Sequence, residues 1–156
     1  VTAGSTEKCL ACRDLGADLA INYRDQDFVA VLSDHGIKPD VILDMVGGDY
    51  VAKNLKIAAM HGRIVMIAFQ RGSRFEADWM PVMLKRLTFT GSTLRARSVA
   101  EKAVIARALE AQVWPLFGAG QIRPIIHRTF PLAEAAAAHA LMEAGDHIGK
   151  IVLLAG

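Results

Sequence analysis

Three groups of residues in this chain have types and spacings that could do chemistry. The first is the segment A-G-S-T-E-K near the start, with Ser5 and Lys8 one helical turn apart and Tyr23 closing the next apolar segment. A hydroxyl and an ammonium at the amino end of a helix, where free N–H groups and the helix dipole favour negative charge, make a place for an anion. The same residues also read as a capped helix with a solvated lysine, and Glu7 between them could offer an acidic group instead. The second is Cys9-Leu-Ala-Cys12, a possible redox pair near a helix start, where the dipole lowers a thiol pKa. Zinc would need further ligands at matching spacing, and neither a second cysteine pair nor a close histidine pair is present. Two small buried residues on one turn is the simpler reading. The histidines at 35, 61, 127, 139 and 147 show no ligand spacing, and His127 and His139 read as structural. The third is D-V-I-L-D-M-V-G-G, Asp40 to Gly48, an apolar run stopped by a glycine pair and interrupted by Asp44. Asp44 could hydrogen-bond a ligand or be a buried, satisfied carboxylate.

The elements that must position these groups alternate between strand and helix. The sequence predicts a strand over residues 1–3, a helix capped by Ser5 that runs to Leu15 and stops at Gly16, and a strand over 19–23. Asp25 is expected to cap the next helix, with Phe28, Val31 and Leu32 on one face before Gly36. Residues 40–46 form the central strand, expected to be buried on both faces because it is a nearly unbroken apolar run. A helix over 49–59, a buried strand over 63–69, a polar loop over 70–78 and a short helix over 79–85 follow. The segment 87–92 alternates polar and apolar residues and should lie near a sheet edge. Ser98 and Glu101 form a capping box for a helix that Pro115 ends or kinks. Residues 122–130 are extended, 132–144 helical, and 149–154 the last strand. With connections of two to six residues, the usual lengths for such units, this is the pattern of an α/β fold with a doubly wound parallel sheet. Ligands of such sheets sit at the carboxyl ends of the strands.

Composition narrows the classes further. The 156 residues suffice for one domain with a proper core, and 53% are hydrophobic with a mean hydropathy of +0.28. No apolar run approaches the roughly 18 to 20 residues that span a bilayer; the best candidate, 111–122, contains Pro115, Gly118 and Gly120. A formal net charge of +2 with both signs scattered along the chain suggests neither a nucleic-acid nor a membrane surface. Two cysteines argue against a disulfide framework and suit a reducing, cytoplasmic setting.

In a dinucleotide-binding sheet the tip of the second strand meets the adenosine ribose. An acidic residue there suits the 2′-hydroxyl of NAD, while serine and basic residues suit the 2′-phosphate of NADP. Here A-G-S-T-E-K-C, L-G-A-D-L-A-I-N-Y, V-I-L-D-M-V-G-G, G-R-I-V-M-I-A-F, L-T-F-T-G-S-T-L-R-A-R and H-I-G-K-I-V-L occur in order. Together they resemble, over essentially the whole chain, the cofactor-domain half of the quinone oxidoreductases. These form the zinc-independent, quinone reductase-like branch of the medium-chain dehydrogenase/reductase superfamily.

The resemblance implies NADPH as cofactor and a quinone or enone (a related conjugated carbonyl) as small-molecule substrate. It places Ser5 and Lys8 at the adenosine 2′-phosphate, with Tyr23 beside them. It further places Val46 and Gly47 where the cofactor passes the central strand, and Ala68 and Phe69 on the nicotinamide side. Ser92, Thr93 and Leu94 would lie at the carboxamide, and Gly149 near the cofactor at the return strand. It implies no metal and catalysis mostly by placement of the nicotinamide against an acceptor, which needs few side chains, and no catalytic residue is assigned in this chain. Arg95 and Arg97 could reach the cofactor or the substrate entrance, though solvent-exposed arginines is the plainer reading. The resemblance also implies a homodimer formed through the cofactor domain. The chain opens on Val1, and the expectation is of a partial NADPH-binding domain, residues 1–156. The glycine-rich turn of its first βα unit and a GroES-like substrate domain would precede Val1. By themselves these residues are then expected to reduce no quinone and to hold NADPH only in the millimolar range, about −4 kcal/mol. Two other classes remain open: a non-catalytic dinucleotide-binding sensor or structural protein of the same fold, and a thiol redox module built on Cys9 and Cys12. The last requires Cys9 to be exposed.

Overall fold

The computed structural model describes residues 1–156 and divides them into two compact units, Val1–Arg97 and Ser98–Gly156. The first unit alternates strictly. Strand β1 (Thr2–Ala3) leads into α1 (Thr6–Asp14), β2 (Ile21–Asn22) into α2 (Phe28–Asp34), and β3 (Val41–Asp44) into α3 (Tyr50–Ile57). Then come β4 (Arg63–Met66), α4 (Met80–Leu84) and β5 (Thr88–Gly91). All pairings are parallel: β1 with β2, and β3 with β4 with β5 in that order. The α/β architecture with parallel sheets flanked by helices is as expected. The strands fall into separate ladders, however, with β1 and β3 each at the end of its own.

The core of this unit lies between α3 and the β3–β5 ladder. Val51 and Leu55 lie at helical spacing on one face of α3, with Ala58 just past its end. They meet Ile64, Met66 and Leu87, all buried, with Ile42, Val82 and Phe89 packed around them. Lys85 closes this layer: its ammonium donates to the carbonyls of Leu55, Lys56 and Ala58 at 3.1, 2.7 and 3.0 Å. Those are the carbonyls that the last turn of α3 leaves without intrahelical partners.

Two expectations are corrected here. Strand β3 is covered on one face only: Val41 and Leu43 are each 63% exposed. The other side of β3 borders a cleft of about 1330 Å³, which Val1, Ile21, Phe28 and Tyr50 also line. The apolar composition of the strand is that of a doubly covered one, but α3 covers a single face. The cap of α2 is Asp27, which accepts from the Val29 N–H at 3.3 Å, and not Asp25. Asp25 closes the turn after β2 instead, accepting from the Asn22 side-chain amide and donating its N–H to the Asn22 carbonyl.

The alternating segment forms β5, the outer strand of its ladder. In the second unit, α5 (Val99–Gln112) opens with the expected box: Ser98 accepts from the Glu101 N–H and Glu101 from the Ser98 N–H. The helix stops before Pro115, which sits in the first turn of α6 (Trp114–Gly118). Strand β6 (Ile126–Pro131) pairs in parallel with β7 (Lys150–Leu154), and between them a short 3₁₀ turn (Leu132–Glu134) leads into α7 (Ala135–Ala144). Gly145, with φ +72°, ends α7. No helix is long and apolar enough to cross a membrane.

Candidate cofactor site

The carboxyl ends of β1 and β2 lie side by side, because Thr2 pairs with Ile21 and Ala3 with Asn22. Ser5 follows β1 in extended conformation and caps α1, its hydroxyl accepting from the Lys8 N–H at 3.2 Å. Tyr23 follows β2 and donates its N–H to the Ala3 carbonyl at 3.0 Å. Its ring lies across Gly4, so close that a Cβ built there would stand 2.7 Å from the phenol oxygen. Ser5, Lys8 and Tyr23, which the sequence places on two elements, therefore meet at one end of this pair of strands.

The corner after β3 is tied down by Asp44. That carboxylate is 4% exposed and accepts from the N–H groups of Val46 at 2.6 Å and Gly47 at 3.1 Å. Its other oxygen accepts from the Asn54 side-chain amide at 2.7 Å. Asp44 is thus the satisfied structural carboxylate of its two readings. Gly47 and Gly48 have φ of +68° and +53°, the left-handed region in which a side chain is costly. A Cβ on Gly47 would also strike the Phe69 ring at 2.7 Å and the Gly72 carbonyl at 2.8 Å. The segment after β4 continues along this corner, with Gln70 and Arg71 donating their N–H groups to the carbonyls of Met45 and Val46. Phe69, 46% exposed, is a ring laid against the corner, with Ala68 beside it half-buried.

Sequence reasoning missed Tyr50 and Arg71 here. Arg71 pairs with Asp49 at 3.0 Å, and its guanidinium lies 5.7 Å from the Tyr50 ring centre. Burial pushes the Tyr50 phenol above its ordinary pKa, partly offset by the Thr2 hydroxyl. Nothing in the polar run after β4 singles out Arg71, since its partners are fixed only once the loop folds back over the corner.

Ser92 extends the β4–β5 ladder, donating its N–H to the Met66 carbonyl at 3.0 Å. Arg97, expected to be solvent-exposed, is half-buried and folded back onto this loop. Its Nε donates to the Thr93 carbonyl at 3.0 Å and its Nη2 to the Ser92 hydroxyl at 3.2 Å. Leu94 is 57% exposed. Gly149 belongs to the second unit. Its φ is +94°, and a Cβ would collide with the Ile125 carbonyl oxygen, so the close approach of residue 125 before β6 requires glycine.

Comparison with known proteins gives the family. The profile of the zinc-binding dehydrogenases matches residues 15–153. The chain belongs to that family. Within it the chain is a quinone oxidoreductase-like member of the medium-chain dehydrogenase/reductase superfamily, matching the cofactor domain. A 2-haloacrylate reductase from a Burkholderia species is 31% identical over 160 residues, covering 98% of this chain and 46% of that protein. A highly reducing polyketide synthase of Gibberella zeae is 31% identical over 133 residues, 84% of this chain and 5% of the synthase. Among solved structures, the quinone oxidoreductase of Thermus thermophilus, also solved with NADPH, has a TM-score of 0.78 and 30% identity. That match covers 98% of this chain and 48% of the Thermus chain. The chain thus spans less than half the length of these relatives.

No three His, Cys, Asp or Glu side chains stand close enough to share an ion. Cys9 is 7% exposed and packed inside, with Cys12 half-buried on the next turn, which removes the exposure that the thiol redox reading needs. A dinucleotide fits better. The Ser5 and Tyr23 hydroxyl-bearing residues and Lys8 stand around the start of α1, where helix N–H groups favour an anion such as a phosphate.

Proposed function

We propose that this member of the family is the NADPH-binding half of a zinc-independent reductase that delivers hydride to a quinone or a related conjugated carbonyl compound. The observation that carries the reading is the meeting of Ser5, Lys8 and Tyr23 at the carboxyl ends of β1 and β2. Ser5 and Lys8 hold the adenosine 2′-phosphate at the start of α1, and Tyr23 covers or donates to it. Val46 and Gly47 form the corner that the cofactor passes, with the Phe69 ring packed against Gly47. Ala68 and Phe69 lie on the nicotinamide side, Ser92, Thr93 and Leu94 receive the carboxamide, and Gly149 supplies backbone near the cofactor. The nicotinamide supplies the hydride when bound; the chain binds, orients and excludes water, with no catalytic side chain of its own. The acceptor class is supported by relatives named for 2-haloacrylate and for quinone, both carbon–carbon double bonds conjugated to a carbonyl group. On this reading the substrate cleft is completed by a GroES-like domain that these residues do not include. The outer strand β5 supports a homodimer through the cofactor domain, since an outer strand offers backbone groups to a second copy. The free thiols Cys9 and Cys12 support a cytoplasmic location.

Cofactor choice tests the proposal. A charge-assisted contact of the Lys8 type is worth about 1.5 to 3 kcal/mol. In the intact protein, Lys8→Ala or Lys8→Glu should therefore erode the NADPH over NADH preference in kcat/KM by about tenfold or more. An unchanged ratio overturns the assignment.

A further inference from the structure

Gly4 lies between β1 and the Ser5 cap, and none of the roles assigned above falls to it. Its φ is not in the left-handed region, so the backbone there does not call for glycine. What calls for it is Tyr23. A Cβ on Gly4 would stand 2.7 Å from the phenol oxygen and 3.1 Å from Cζ, separations that real Cβ atoms do not tolerate without a shift. Burial does not explain this seat, because Tyr23 is 45% exposed and contributes little to the core. The ring is fixed at its base by the Tyr23 N–H to Ala3 carbonyl bond. Any side chain at position 4 must therefore turn the ring away from its present place.

We propose that Gly4 is a specificity-determining residue: by carrying no side chain, it seats the Tyr23 hydroxyl next to the Ser5 cap. The phenol then stands at the strand ends that also carry Ser5 and Lys8, the residues assigned above to the phosphate monoester of a 2′-phosphorylated adenosine. This rests on the NADPH reading above and adds to it. The selectivity of the site is set by a missing Cβ as well as by the groups that touch the phosphate.

The test is a mutant cycle in the intact protein, read in two ways. One is the ratio of kcat/KM with NADPH to that with NADH; the other is the dissociation constant of 2′,5′-ADP by calorimetry, which involves no turnover. Gly4→Ala should lower the ratio and weaken 2′,5′-ADP binding about fivefold, close to the effect of Tyr23→Ala. The Gly4→Ala/Tyr23→Ala double variant should be no worse than Tyr23→Ala alone, since the added methyl then has nothing to displace. If Gly4→Ala fails to fold, the double variant, which has room for the methyl, still carries the comparison with Tyr23→Ala. Gly4→Ala without effect on either readout overturns the inference, and so does a double variant that loses the sum of both effects. Lys8→Glu separates the two levels. If it lowers the ratio while Gly4→Ala does not, only the role of Gly4 falls; if neither changes the ratio, the NADPH reading falls and takes this inference with it.

Discussion

Removing the Asp44 carboxylate should be among the most damaging single changes in the first unit, and the structure gives the size of the effect. Asp44→Ala leaves three donors without their acceptor: the N–H groups of Val46 and Gly47 and the side-chain amide of Asn54. Val46 is half-buried, so water can reach its amide, but Gly47 and Asn54 are buried, and Asn54 is 3% exposed. A buried donor left unsatisfied costs about 1–3 kcal/mol, so two of them give roughly 2–6 kcal/mol. Relief of the desolvation that Asp44 itself bears lowers the net value to about 3 kcal/mol. Asp44→Asn should cost much less: its oxygen still accepts from both backbone N–H groups, and Asn54 can flip its amide to present an oxygen to the new NH₂. Urea denaturation of the intact protein, with hydrogen exchange at Val46 and Gly47, measures both changes. A loss below about 1 kcal/mol for Asp44→Ala, smaller than the cost of one orphaned buried donor, would refute the reasoning. So would an asparagine variant as unstable as the alanine one. Because the same carboxylate sets the corner assigned to the cofactor, Asp44→Ala should also weaken NADPH binding more than Asp44→Asn does.

Two further outcomes follow from contacts away from the site. Lys85→Met keeps most of the aliphatic stem but strips three carbonyls at the end of α3 of their donor, and should cost about 1–2 kcal/mol in the same denaturation experiment. Asp27 is held below its ordinary pKa, first by the Lys53 ammonium at 3.0 Å and then by the Val29 N–H. A carboxylate whose pKa is lower folded than unfolded adds stability above its unfolded pKa, and that contribution is lost as the pH falls through the folded pKa. The pair is exposed, so the effect on stability is small. It is read instead by NMR titration of the Asp27 carboxyl, which Lys53→Met should move upward, and an unmoved titration would refute it.

Much of this fold was legible because its signals are local. The Ser98–Glu101 box, the Pro115 break and the Ser5 cap each join residues within one helical turn, and all three are in place. Asp25 and Asp27 show the limit of that kind of reading: two aspartates in D-Q-D compete for one cap, and Asn22, upstream on β2, takes Asp25. The sequence also made β3 an interior strand from its nearly unbroken apolar run. That property records which faces suit burial, whereas Val41 and Leu43 meet a cleft because only α3 covers their strand.

The two ends of the candidate site differ in the same way, and this decides how far sequence can reach into each. At the end proposed for the adenosine, Ser5 and Lys8 share one turn of α1, and their spacing suits either an anion or a plain helix cap with a solvated lysine. What sharpens that place is Tyr23 over Gly4, a contact between separate strands in which the informative residue is the one with no side chain. At the corner, glycines 47 and 48 announce a turn, yet its shape depends on Asp44 reaching Asn54 on α3 and on the segment at 69–72 lying across it. Asp44 could be read either as a ligand-binding or as a structural carboxylate because its acceptor sites are claimed by groups that only the folded chain brings near. On the proposed reading, exchanging the side chains of Ser5, Lys8 and Tyr23 should retune cofactor choice. The corner cannot be altered without disturbing the packing of α3 on its sheet.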